Sequence, residues 1–129
     1  MTRKIVSSPN APKAIGPYSQ AVWSGDLLFL SGQTPLDPSS GKLAEGGVGE
    51  QTRRVFDNLA AVLAEAGLSL DNVIKTNVYL ASMQDFAEMN AVYQTRFNAP
   101  FPARTTVAVA ALPLGARVEI EMVARKSGE

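Results

Sequence analysis

The sequence predicts an α+β domain, a mixed sheet with two helices on one face, in the order β-β-β-α-β-α-β-β. Three observations carry this. Apolar residues recur at spacings of three and four in two stretches, near 48–66 and 86–97. Short alternating segments precede, separate and follow those stretches. Clusters of Gly, Pro, Ser and Asp punctuate the joins.

Taken in order, Val6 closes a short first strand before the loop SSPNAPKAIGP. The segment YSQAVWSGDLLFLSG reads as two strands joined by a turn at Ser24, Gly25 and Asp26. PLDPSSGKL is a surface turn. The first helix starts near Val48, with Val48, Thr52, Val55, Leu59, Val62 and Ala66 as its stripe and Phe56 and Leu63 widening it. Gly67 ends it as a left-handed cap. In NVIKTNVYLA, Ile74, Thr76, Val78 and Leu80 fall on one face and Lys75, Asn77 and Tyr79 on the other. Ser82 with Asp85 is a capping-box variant opening the second helix, whose expected core stripe is Phe86, Met89, Ala91, Val92 and Phe97. Pro100 and Pro102 stop that helix. In the seventh segment Thr105, Val107 and Val109 alternate with Arg104, Thr106, Ala108 and Ala110. In the last, Val118, Ile120, Met122 and Ala124 alternate with Arg117, Glu119, Glu121, Val123 and Arg125.

The 129 residues suit one domain spanning 1–129. Hydrophobic residues make up 46% and charged residues 19%, a globular composition. Twelve basic residues balance twelve acidic ones, so no basic field is present to attract nucleic acid or an anionic membrane. The chain contains no cysteine and no histidine. Disulfides, thiolate nucleophiles, Ser-His systems and imidazole- or thiolate-bound metals are thereby excluded. Any chemistry must come from carboxylates, Arg, Lys, Tyr, hydroxyls, backbone groups and water. No run approaches the ~20 apolar residues of a membrane span, and a soluble cytoplasmic protein is expected.

Two helices cover one sheet face. Assigning the larger apolar residues of the closing strands to that face leaves Lys75, Asn77, Tyr79, Arg104, Thr106, Glu119 and Glu121 on the other. One reading is an open solvated face. The other is a face that packs against further subunits and encloses a polar pocket between them. In such a pocket Arg104 presents a fork of donors suited to a carboxylate. Glu119 orients or deprotonates a water. Tyr18 and Ser31 supply hydroxyls, and glycines 16 and 32 admit close backbone approach. This inventory suits hydrolysis of an already activated bond in a small carboxylate. The competing structural role for Arg104 is a cross-strand ion pair with Glu119 or Glu121.

Five segments, AIGPYSQAV (14–22), LFLSGQTPLDPSSGKL (28–43), QTRRVFDNLAAVLAEAGLSLDNVIKTNVYL (51–80), FAEMNAVYQTRF (86–97) and PARTTVAVAALPLGARVEIEMVA (102–124), together resemble the RidA (YjgF-like) family of reactive-intermediate imine deaminases. The resemblance implies a chorismate-mutase-like fold and a homotrimer with a pocket at each subunit interface. It implies a hydrolase acting on C–N bonds, converting 2-imino or enamine acids such as 2-aminoacrylate/2-iminopropanoate and 2-iminobutanoate to 2-oxo acids and ammonia. No cofactor and no metal are implied. By match to the family motifs, Arg104 holds the substrate carboxylate and Glu119 positions the attacking water. Tyr18, Ser31, Gly32, Asn90 and Pro113 match pocket residues. Thr106 stands where many members have cysteine and where the backbone N–H faces the ligand. The link at 97–101 is shorter than in some members and alters the pocket rim. The rival class of function is non-enzymatic: 2-oxo acid sensing, or a holdase-type chaperone, on the same trimer. A ribonuclease is disfavoured by neutral charge and the lack of histidine.

Overall fold

The computed structural model describes residues 2–127. Its strands are β1 (Lys4–Val6), β2 (Ala21–Ser24), β3 (Leu27–Gln33), β4 (Val73–Leu80), β5 (Ala103–Ala108) and β6 (Val118–Arg125). Its helices are α1 (Val48–Glu65) and α2 (Phe86–Arg96). The expected α+β order is the observed one. The six strands form one sheet in the order β1-β2-β3-β6-β4-β5. All neighbours are antiparallel except β4 and β5, and α2 supplies the crossover that a parallel pair requires.

The α1 stripe read from the sequence is the core. Val48, Val55, Phe56, Leu59, Val62 and Leu63 are fully buried against Leu28, Leu30, Ile120 and Met122 of the sheet. At its end the Leu68 N–H donates to Leu63 O at 2.8 Å and Gly67 N–H to Ala64 O at 3.0 Å. With Gly67 at φ +79° this is a Schellman cap, which needs a residue without Cβ. Asn58 is also buried in α1, where its Nδ2 donates to the carbonyls of Thr34 and Leu36 at 3.2 and 2.9 Å. It ties the loop after β3 to the helix. Gln20 does the same for the N-terminal loop: its Nε2 donates to Ser8 O and Pro12 O, and its Oε1 accepts from Ser8 N.

Two core assignments differ from the sequence reading. Ile74 is solvent-exposed and Val73 is buried in its place, because the β4–β6 register shifts between Val73 and Lys75. A bulge of this kind reverses the parity of the residue beside it. In α2, Ala91 is exposed and Tyr93 is buried. Tyr93 packs with Phe56 and Phe97 at centroid distances of 5.6 and 5.1 Å. At the start of α2, Ser82 caps a short 3-10 turn by accepting from Gln84 N, while Asp85 pairs with Arg117 at 2.6 Å.

The third correction matters most for function. The alternation of β5 is as expected, but it is attached to the opposite face. Parallel pairing sets Thr76 beside Arg104 and Val78 beside Thr106. Thr76 and Val78 are fully buried under the helices, so Arg104 and Thr106 point to the helix side. Thr105 and Val107 lie on the open side with Asn77 and Tyr79, and Lys75 Nζ donates to Thr105 Oγ1 at 3.0 Å. Alternation alone says which residues share a face, not which face is covered. Assigning the β-branched residues inward is the natural guess. It fails here because β5 is the edge strand of the sheet, where an arginine can lie along the rim under α2.

Candidate active site

The sheet divides the predicted site residues into two clefts. The larger, about 570 Å³, opens on the uncovered face. It gathers Tyr18, Ser31, Gly32, Pro113 and Glu119, with Glu121 beside them. The smaller, about 400 Å³, lies on the helix side at the β5 edge and holds Arg104 and Asn90 with Tyr93, Gln94, Phe101 and Pro102. Thr106 lines neither cleft. A groove of about 700 Å³ along β1 contains none of these residues.

In the larger cleft, β6 carries Glu119 on its open face because Val118 and Ile120 are committed to the core. Gly32 lies on β3 at the register shift between Leu30 and Gln33, directly under the Glu119 side chain. A Cβ on Gly32 would overlap Glu119 Oε2, so glycine is required for the carboxylate to rest there. Ser31 Oγ donates to Ser19 O at 2.6 Å and Ser31 N to Gln20 O at 2.9 Å, which anchors the segment carrying Tyr18. Tyr18 itself is exposed. The rim is closed by the 3-10 turn Pro113–Gly115, in which Leu114 adopts φ +59° and exposes its side chain. A left-handed leucine is a costly conformation.

Glu119 is half-buried and receives no hydrogen bond from the described residues. Burial, and secondarily the charge of Glu121, push its carboxyl above the usual range. Glu121 differs: it accepts from Asn77 Nδ2 at 2.9 Å and Tyr79 OH at 3.1 Å. Tyr79 is held above the ordinary phenol range by burial and by that bond, so it stays a neutral donor.

The arginine cleft is built by one stripe of α2. Phe86, Asn90, Tyr93 and Phe97 recur at helical spacing on the face turned to β5. Asn90 Oδ1 accepts from Arg104 Nη1 at 2.7 Å. The guanidinium carbon lies 4.6 Å from the Tyr93 centroid and 5.5 Å from that of Phe86. Tyr93 is fixed in turn by a 2.7 Å bond between its hydroxyl and Thr76 Oγ1. Burial pushes the Tyr93 phenol up, partly offset by that bond and by Arg104. Cation–π contacts of this type contribute about 0.5–2 kcal/mol each and orient the fork. Asn90 therefore serves Arg104, and the cross-strand ion pair is not made: within the chain Arg104 and the two glutamates are on opposite faces. The sequence reading places Phe86 in the core stripe alone and does not single out Tyr93; the contact of both with Arg104 comes from the structure. The available signal was their spacing of three and four residues from Asn90.

The endoribonuclease L-PSP family profile matches residues 8–126. The chain belongs to this family, the RidA/YjgF family its motifs resemble. It is 51% identical over 122 residues to a mouse protein named 2-iminobutanoate/2-iminopropanoate deaminase, covering 95% of this chain and 90% of that one. The structure of RidA from the Antarctic bacterium Psychrobacter sp. superimposes with a TM-score of 0.91 at 43% identity, covering 95% and 99% of the two chains. TdcF of E. coli, crystallised with bound serine, gives a TM-score of 0.91 at 40% identity and 96% and 99% coverage. Other relatives carry only the names RutC family protein or endoribonuclease. The fold is the chorismate-mutase-like one of these neighbours. Among the described residues no helix is long and apolar enough to cross a membrane.

Proposed function

We propose that this protein hydrolyses 2-imino and enamine acids to 2-oxo acids and ammonia, in a site formed only when two copies meet. The observation that carries this reading is the division of the site. The Glu119 carboxylate waits in an open cleft with no donor among the described residues, while Arg104, suited to read a carboxylate, is held on the far side of the sheet. The open face is apolar enough to pack against another copy: Ile5, Phe29 and Val107 are 55%, 47% and 42% exposed. A homotrimer of head-to-tail contacts would set the arginine cleft of one copy against the glutamate cleft of the next. The mouse relative's name supports the reaction, and serine bound to the E. coli neighbour supports an amino-acid-sized ligand.

The chemistry then follows from the groups present. Arg104 clamps the carboxylate of the iminium tautomer, R₂C=NH₂⁺. A water held by Glu119 attacks the carbon as one of its protons passes to the Glu119 carboxylate, giving the carbinolamine R₂C(OH)NH₂. Glu119 returns that proton to nitrogen. The hydroxyl oxygen then forms the carbonyl as the C–N bond breaks, and its proton leaves with ammonia as ammonium. The carbon is intrinsically electrophilic, so positioning and electrostatics suffice.

The test is subunit complementation in a dehydratase-coupled imine assay. Arg104→Ala and Glu119→Gln are each expected to lose most of the activity measured at substrate concentrations below KM. Unfolded together and reassembled at equal ratio, they should recover about one quarter of wild-type activity, because one in two copies supplies each intact half. No recovery with normal assembly by light scattering would refute a shared site. No acceleration by wild type on any imine, with 2-oxo acid binding retained, would favour the sensor reading. RNA cleavage lost in Glu119→Gln would favour the ribonuclease.

A further inference from the structure

Strand β6 brings two carboxylates, Glu119 and Glu121, to one face two residues apart, about 7 Å along the strand. Both line the same cleft. Their surroundings differ in one respect that the register explains. Asn77 stands opposite Glu121 and Tyr79 opposite Glu119. Asn77 donates straight across to Glu121 at 2.9 Å. Tyr79 does not donate to the residue it faces; its hydroxyl reaches diagonally to Glu121 at 3.1 Å. Both donors of this part of β4 are therefore spent on one carboxylate, and Glu119 is left with none among the described residues.

We propose that Glu121, fixed in place by hydrogen bonds from Asn77 and Tyr79, is a positioning residue for Glu119: it is the neighbouring charge against which Glu119 takes up and returns the proton of the attacking water. The inference rests on the hydrolytic reading above and deepens it. Two adjacent carboxylates with divergent environments divide into a permanent anion and a proton carrier. Two donors of β4 fix the Glu121 carboxylate, whereas burial and the neighbouring charge both disfavour the anion of Glu119. A carboxylate so disfavoured is the stronger base toward a polarised water.

The other groups facing Glu119 do not supply this effect. From β3 come Ser31 and Gly32, and from the segment before β2 comes Tyr18. From β5 the open face presents Thr105 and Val107, and Lys75 on β4 is bonded to Thr105. In an assembled site, Arg104 of a second copy adds a cation that favours the Glu119 anion equally in wild type and in Glu121 variants.

The sign follows. Glu119 must be ionised to accept a proton, so kcat/KM falls as pH drops through its titration. Removing the Glu121 charge favours the Glu119 anion and moves this acidic limb to lower pH. The experiment is a carboxyl ¹³C NMR titration of the full, ligand-free protein as wild type, Glu121→Gln and Tyr79→Phe, followed by pH profiles of imine hydrolysis corrected for the buffer reaction. In wild type Glu119 should titrate above the ordinary glutamate range. Glu121→Gln should lower the Glu119 midpoint and the kinetic limb together, with KM little changed, and Tyr79→Phe, which removes one bond fixing Glu121 but keeps its carboxylate, should move the Glu119 midpoint less than Glu121→Gln does. A Glu119 midpoint unmoved by Glu121→Gln, or moved further by Tyr79→Phe than by Glu121→Gln, overturns the coupling even if hydrolysis is intact. NMR shifts as expected with no hydrolysis in wild type overturn the reaction instead, and with it the kinetic role of Glu121.

Discussion

The two clefts differ in how completely one chain finishes them. Around Arg104 the chain fixes the guanidinium itself: Asn90 takes one donor, Tyr93 and Phe86 support the guanidinium plane, and Thr76 fixes Tyr93. Around Glu119 the described residues provide shape but no hydrogen-bond partner. Gly32 makes room, Ser31 anchors the neighbouring loop, and the donors of β4 go to Glu121. A recognition element gains from being preorganised before the ligand arrives, since ordering costs are then met in folding. A proton carrier gains from being left unsatisfied, because each donor would stabilise its anion and weaken it as a base.

This contrast is sharpest if Glu119 is removed. Glu119→Gln should lower kcat by about 10²–10⁴-fold with KM nearly unchanged, the signature of a lost general base. Arg104→Ala should instead act mainly on kcat/KM, by about 10–150-fold, since a charge-assisted pair contributes roughly 1.5–3 kcal/mol. Steady-state kinetics over a range of imine concentrations separate the two, and a Glu119→Gln enzyme changed only in KM would erase the proposed division. Gly32→Ala tests position without removing any functional group. The new methyl displaces the flexible end of Glu119, so kcat should fall about 10–100-fold while the melting temperature shifts little. A large loss of stability would show that Gly32 serves the backbone. The smallest effect belongs to Tyr93→Phe, which keeps the ring under Arg104 but deletes the hydroxyl bonded to Thr76. It should cost about 1–3 kcal/mol of stability, read by denaturant melts, because a buried Thr76 hydroxyl loses its partner. KM should rise by less than about threefold, since the cation–π contact of up to ~2 kcal/mol survives.

Much of this was legible in the residues themselves. The α1 stripe from Val48 to Leu63 and its Gly67 cap follow from periodicity and from the steric freedom of glycine. So do β6 and the placement of Glu119, because Val118, Ile120 and Met122 alternate without interruption. The motif around Tyr18, Ser31 and Gly32 also pointed to a common cleft. The second helix was harder to read. Its apolar face is interrupted by Asn90, whose partner lies fourteen residues ahead, and its buried aromatic is a tyrosine with a polar tip.

What the sequence determined by itself is the inventory and the rhythm: which residues alternate, which recur at helical spacing, and which chemistry a chain without histidine or cysteine can perform. Only the tertiary structure decided the sides. The bulge at Val73–Lys75 decides that Val73 and not Ile74 is buried, and the parallel register of β5 places Arg104 on the face opposite Glu119. The physical reason is that side-chain alternation has a period of two and carries no absolute phase. That phase is set by pairing with a distant strand, which no local pattern records.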